Sequence, residues 1–414
     1  MNFERFYGNL EKFAGVGRAE DGGITRLAFS KEYYESIEGL EKYAADKGIQ
    51  TRRDKVGNLF FIHNPNNSNK FIMLGSHMDT VKSGGLYDGA LGAITALEIL
   101  ETIKENKIES KYGIIAVAFN AEEGSEMGGT FGSRTIAGRN DLNDESLKSK
   151  LKKYNLTIGD LKDSIIDFKK ILCFLELHIE QGGVLEHEGL DIGVVDGIVG
   201  ITRYNITIKG SANHAGTTPM KLRNDPIKKL PKLLEKLYEL SNKYDHPFVM
   251  TVGDILVRPG MYNIIPAEVE VLIEVRDMKQ INIDNFFKDV KEFLDKEIID
   301  YSFVKNVEKP SVKLDKSLME LAETQAENLG YKFKIMSSGA GHDAKEISHL
   351  VPTSLIFVPS KDGISHSPKE FTKKEDLKKG ISLIYNMVVS ISGGYLKWKF
   401  YWLIQIAMMK WQIT

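Results

Sequence analysis

Short apolar runs that end beside histidine or paired carboxylates constrain this chain more than any other feature. Phe71-Ile72-Met73-Leu74 reads as a buried strand and leads into His77. Residues 113–119, with Ile114, Ile115, Val117 and Ala118, read as a second strand and lead into Glu122. Residues 171–177 read as a third, followed at once by His178. Residues 90–103 have helical spacing. Strands alternating with helices predict βαβ units and a mostly parallel sheet, hence an α/β fold. In such sheets ligands lie at the carboxyl ends of strands, where these histidines and carboxylates begin.

The texture changes near Gly200. Residues 202–209 (TRYNITIK) and 268–275 (EVEVLIEV) alternate with period two, and residues 225–244 between them look helical. Strands with one solvated face predict an antiparallel sheet carrying helices, a separate α+β unit. From about Ser311 the pattern returns to helix, strand, helix over residues 318–329, 353–358 and 373–392. The expected organisation is a main domain in two parts, 1–199 and 311–392, with a domain inserted at 200–310 and a tail at 393–414.

Length and charge bound the function. The 414 residues suffice for two or three domains and a large core. Lys and Arg number 55 against 57 Asp and Glu, a formal net charge of −2, which lacks the basic excess of a nucleic-acid surface. Cys173 is the sole cysteine, so no intrachain disulfide forms, which fits a reducing, cytoplasmic compartment. The opening MNFERFYGNLEKFAG has no apolar signal core, and its Phe3, Phe6, Tyr7, Leu10 and Phe13 follow helical spacing. Trp398, Trp402 and Trp411 crowd the tail, whose apolar run over residues 400–409 is too short for the roughly 20 residues of a bilayer span. An interfacial anchor is one reading of it; a docked or poorly ordered tail is preferred.

Taken one at a time the polar motifs are ambiguous. His77 with Asp79 two residues on suits a ligand and a carboxylate that fixes it, or simply a polar loop. Asp88 lies in a glycine-flanked loop that lets an ion approach. Glu122-Glu123 divides naturally into a proton acceptor and a ligand, or forms an acidic turn. Taken alone, His178 reads first as a satisfied core or capping histidine, and His366 as a residue of an ordinary turn. Together, His77, Asp88, Glu123, His178 and His366 supply the N/O donors that two divalent ions need. The absence of thiolates favours Zn, Mn, Co or Ni.

At this point the chain resembles the M20 metallopeptidase-like superfamily, in its hydantoinase/carbamoylase branch. The matching segments are GSHMDTVKSGGLYDGALG, FNAEEGSEMGGTFGSR, ELHIEQGGVLE, GSANHAGTTPM, NIIPAEVEVLIEVRD, SSGAGHDA and GISHSPKEF, in the family's order across residues 1 to about 392. The resemblance implies two divalent ions per subunit, His77, Asp88 and His178 on one, Asp88, Glu123 and His366 on the other. It implies Glu122 as general acid/base with Asp79 beside it. It also implies that the inserted domain is a lid and dimerisation domain, giving a homodimer. Gln181, His214, Asn263, Arg276 and Gly339 would meet a small carbamoyl or ureido carboxylate, with His214 and Asn263 on the oxyanion and Arg276 on the carboxylate. Read without the resemblance, these last are a strand-end His, a turn Asn and an Arg paired with Asp277 or Glu274.

The expected activity is therefore hydrolysis of a non-peptide C–N bond in an N-carbamoyl-L-amino acid or related ureido acid. Allantoate amidohydrolase is the near alternative. An M20 aminoacylase or dipeptidase would favour a carboxylate at position 178. A catalytically idle binding protein would lack Glu122 or a ligand. A dehydrogenase is disfavoured because no G-x-G-x-x-G follows a strand.

Overall fold

The structure, a computed structural model, describes residues 1–298 and 300–393; the expected docking or anchoring of the Trp-rich tail falls outside them. The chain forms two compact units. The first comprises Met1–Asp196, Leu314–Met336 and the described residues from Gly341 on; the second comprises Gly197–Lys313 and Ser337–Ala340.

The first unit is built on strands β1 (Gln50–Arg53), β2 (Leu59–His63), β3 (Phe71–His77), β4 (Gly113–Phe119), β5 (Ile171–Ile179), β6 (Ile192–Ile198) and β7 (Thr353–Val358). They lie in the order β1-β2-β4-β3-β5-β7-β6. At the centre β3 runs parallel to β4 and β5, and β7 parallel to β5. The flanks, β1 with β2, β2 with β4 and β7 with β6, are antiparallel. Central strands covered on both faces need continuous apolar sequence, which is why β3, β4, β5 and β7 were readable. The polar QTRR of β1 is largely exposed and carries no such signal. Gly75 is required within β3, since a Cβ there would lie 2.0 Å from the Val117 carbonyl oxygen.

Helices cover this sheet. In Ala90–Glu105 every residue from Ala90 to Ile103 is buried, as its apolar circumference demands. Its buried Glu98 and Glu101 meet Arg5 at 2.6 and 3.1 Å, tying down the first helix, Phe3–Asn9. That helix continues as a π-helical turn, Leu10–Ala14, and Phe6, Leu10 and Phe13 are buried. Helix Lys374–Ser392 packs on the same core through Leu377, Ile384 and Met387. Cys173 lies fully buried in β5, where burial and the nearby Asp315 push its thiol up to about 12. Among the described residues no helix is long and apolar enough to cross a membrane.

The second unit is an antiparallel sheet in the order Tyr301–Lys309, Gly200–Lys209, Glu268–Asp277, Val249–Arg258. Alternate residues of Glu268–Asp277 are buried against helices Leu230–Ser241 and Gln280–Glu297 through Val271, Val275, Leu237 and Phe286. The outer strands Tyr301–Lys309 and Val249–Arg258 were not legible, because edge strands exposed along most of their length need not alternate. Ser337–Ala340 also belongs to this unit, with the Val199 N–H donating to the Ser338 carbonyl at 3.0 Å.

Candidate metal centre

The end of β3 presents His77, and β5 presents His178; both are buried. Nδ1 of His77 lies 3.0 Å from the Asp79 carbonyl, and Nδ1 of His178 lies 2.9 Å from the Ile179 carbonyl. A carbonyl only accepts, so each Nδ1 carries a hydrogen and each Nε2 is left as the ligating atom. These Nε2 atoms lie 3.5 and 3.2 Å from Oδ1 of Asp88. The other oxygen of Asp88 is 3.3 Å from Nε2 of His366, which is itself 3.3 Å from Glu123 Oε2. Two groups result, His77–Asp88–His178 and Asp88–Glu123–His366, each with its donor atoms within 4.8 Å of one another and sharing Asp88.

Local structure makes this convergence possible. Gly89 has φ of 65°, and a Cβ there would sit 2.3 Å from the His77 ring, so only glycine lets the Asp88 loop lie against the imidazole. Asp79 accepts the backbone N–H of Glu122 on Oδ1 and that of Glu123 on Oδ2, both at 3.1 Å. The two adjacent side chains then separate: Glu123 reaches His366, while Glu122 Oε2 stands 3.9 Å from His77 Nε2. Asp88 Oδ2 accepts from Gln181 Nε2 at 2.8 Å and from Ser365 Oγ at 2.7 Å.

Three residues around the site were not singled out from sequence. Ser365 and Glu370 flank His366 within one motif, which was the available signal; Glu370 Oε1 accepts from the backbone of Tyr87 and Asp88. Arg26 is fully buried, donating to the carbonyls of Met78 at 2.5 Å, Val16 at 3.0 Å and Ala14. Its partners are backbone atoms, so sequence carries no hint of it.

The electrostatics suit cations. Burial alone would discharge His77, yet Asp88, Glu122, Asp79 and Glu123 overcome it and hold its pKa well above the ordinary value. His178 is raised against burial by Asp88. Hydrogen bonds that His366 donates to Asp88 and Glu123 lift it to about 10. A pocket that draws protons onto its imidazoles draws divalent ions in their place. Glu123 Oε1 and Gln181 Oε1 are buried without a hydrogen-bond partner, leaving acceptors for such ions or for a substrate. The all-N/O donor set fits Zn, Mn, Co or Ni.

The remaining expected residues lie in the second unit. Asn213–His214 pairs with Ile264–Ile265, and the Ala215 N–H donates to the Asn263 carbonyl at 3.0 Å, so His214 and Asn263 share one small ribbon. His214 Nδ1 accepts from Gly216 and Thr217 N–H at 3.1 and 3.2 Å, which leaves Nε2–H as a donor. Arg276 meets Glu274 Oε1 through Nε at 2.7 Å and through a terminal nitrogen at 2.6 Å. It also donates to the Gly339 carbonyl at 2.5 Å. The pairing with Glu274 and the contact with Gly339 thus coexist.

Comparison with known proteins fits this geometry. The model of peptidase family M20/M25/M40 matches residues 73–390. An N-carbamoyl-L-amino acid amidohydrolase of Geobacillus stearothermophilus is 34% identical over 405 residues, covering 94% of this chain and 99% of the relative. An allantoate amidohydrolase of Bacillus subtilis (strain 168) is 33% identical over 399 residues, covering 92% and 96%. Among solved structures, an amidase of the hydantoinase/carbamoylase family from Burkholderia multivorans superposes with a TM-score of 0.84 at 26% identity, covering 94% of this chain and 98% of that one. The chain belongs to peptidase family M20/M25/M40, in its hydantoinase/carbamoylase branch.

Proposed function

We propose that this chain is a two-cation amidohydrolase that cleaves a non-peptide C–N bond of an N-carbamoyl-L-amino acid or related ureido acid. The observation that carries the reading is the pair of donor groups sharing Asp88, with Glu122 beside them and committed to neither. Divalent ions held there would polarise the scissile carbonyl and lower the pKa of a water.

The chain's own groups supply the rest. Burial pushes the Glu122 carboxyl well above the usual range, with Asp343, Glu123 and Asp79 adding to it against His77. A raised carboxyl is suited to take a proton from the attacking water and return it to the leaving nitrogen. Asp79 sets the Glu122 backbone, and Gln181 and Ser365 orient Asp88. We assign Nε2–H of His214 and the Asn263 amide to the developing oxyanion. Arg276 has five N–H donors; one is bonded to Glu274 and one to Gly339, with a further terminal nitrogen 2.6 Å from Glu274. The donors left over suit a substrate carboxylate, as a guanidinium fork would. The second unit is read as a lid and as the contact of a homodimer; its edge strand Val249–Arg258 exposes Val249, Ile255 and Leu256.

The relatives support two substrates almost equally, an N-carbamoyl-L-amino acid at 34% identity and allantoate at 33%. Ammonia release from a panel of N-carbamoyl amino acids, allantoate and 3-ureidopropionate, with Mn or Zn, separates them. No turnover of any ureido acid, with turnover of N-acyl amino acids or dipeptides instead, would overturn the reading.

A further inference from the structure

Glu370 takes no part in the chemistry above, yet it is 6% exposed and fully engaged. Its Oε1 accepts two consecutive backbone N–H groups, Tyr87 at 2.8 Å and Asp88 at 3.1 Å. Its Oε2 lies 3.2 Å from Ser365 Oγ, and that hydroxyl is 2.7 Å from Asp88 Oδ2. Glu370 therefore grips Asp88 through its backbone, while the Ser365 hydroxyl, whose single hydrogen goes to Asp88, stands between the two carboxylates. The loop of residues 85–88 is shaped to admit it. A Cβ on Gly85 would fall 2.1 Å from both Cδ and Oε1 of Glu370, and a buried side chain has nowhere to retreat. The neighbouring rings of Tyr87 and Phe371 meet edge to face at 6.4 Å, bracing the same two loops.

The two donor groups depend on this brace unequally. His77 and His178 stand on buried strands, each oriented by its own carbonyl. His366 stands in a loop, its side chain 49% exposed, with φ of 55°. Its place opposite Asp88 is set by whatever joins residues 365–370 to residues 85–88. We infer that Glu370 is the positioning residue that brings Asp88 and His366 together, and so governs the Asp88–Glu123–His366 group while leaving His77–Asp88–His178 intact. This rests on the two-cation reading above.

Calorimetric titration of the chelator-treated full chain with Mn tests it. Wild type binds two ions. Glu370→Ala binds the first unchanged and the second about 10–100-fold more weakly, the usual effect of losing a residue that orients a ligand. Glu370→Gln retains an acceptor for both N–H groups and stays near wild type. Gly85→Ala, which touches no ligand, reproduces the Glu370→Ala loss. The double variant is no worse than either single, because each disrupts the same contact. Wild-type behaviour of Glu370→Ala, equal weakening of both ions, a Glu370→Gln as poor as Glu370→Ala, or additive losses would each overturn the inference. Should Glu370→Ala not fold, Gly85→Ala and Glu370→Gln still decide. A wild type that binds one ion would instead overturn the two-cation reading, and the inference with it.

Discussion

Asp79 and Glu122 are joined through the backbone and not through their side chains: Oδ1 of Asp79 accepts the Glu122 N–H at 3.1 Å, while its other oxygen takes the next N–H along. The carboxylate needs both oxygens as acceptors. Asp79→Asn turns one into an amide that faces an N–H. We expect kcat to fall about 10–100-fold even at saturating cation, in line with other ligand-orienting groups. Unchanged kcat would show that the Glu122-Glu123 turn holds itself.

Glu122→Gln should keep the fold and the cation stoichiometry, because Glu122 belongs to neither donor group. Turnover should drop by about 10²–10⁴-fold, the usual contribution of a general acid/base. Cation analysis of the same sample separates this from lost binding. A Glu122→Gln enzyme at the wild-type rate would reverse the division of labour with Glu123.

Chelation should lower the melting temperature and re-addition should restore it, since ions that bind only the folded chain stabilise it by about 2.7 kcal/mol at 100 times Kd. The binding should also release protons. His366 is raised to about 10, so at neutral pH it is protonated before an ion arrives. The sign follows: affinity rises as pH climbs towards that value and falls in acid. Titrations in buffers of different ionisation enthalpy measure the protons released; none released would contradict the assignment of His366 as a ligand.

Arg276→Lys should lose selectivity for a free carboxylate. A charge-assisted contact contributes about 1.5–3 kcal/mol, so kcat/KM for the acid should fall by roughly one to two decades. The check is the ratio of rates for an N-carbamoyl amino acid and its amide. Equal turnover of acid and amide by wild type would leave Arg276 as a partner of Glu274 and nothing more.

Ile255→Lys should shift a homodimer towards monomer, because a lysine in an exposed edge strand discourages pairing. Light scattering of both proteins at matched concentration decides it. A wild-type monomer would remove the dimer proposal.

What could be read without coordinates followed from where the information is stored. The placement of His77, Glu122 and His178 at or near strand ends was visible because buried parallel strands need mostly apolar sequence, and polar residues gather where that run stops. The family and its amidohydrolase chemistry were legible from the motifs, and the relatives agree. Arg26 and the edge strand Val249–Arg258 were not legible, because backbone partners and solvent-facing edges leave no periodic trace. Glu370 was visible as a letter in a motif, but its partners at Tyr87 and Asp88 lie 283 and 282 residues away. Arg276 shows a third case. Sequence offered a clamp or a partner of Glu274, and the guanidinium is bonded to Glu274 with donors to spare.

Cys173 gives the molecule a native reporter. It lies five residues before His178 on the same strand, fully enclosed, with its thiol held near 12 and hence unreactive in the closed sheet. A thiol reagent can reach it only when β5 leaves its parallel neighbours. The rate of labelling therefore times the opening of the strand that carries His178. Run with and without divalent ions, it measures how firmly they clamp the sheet shut, with no engineered probe.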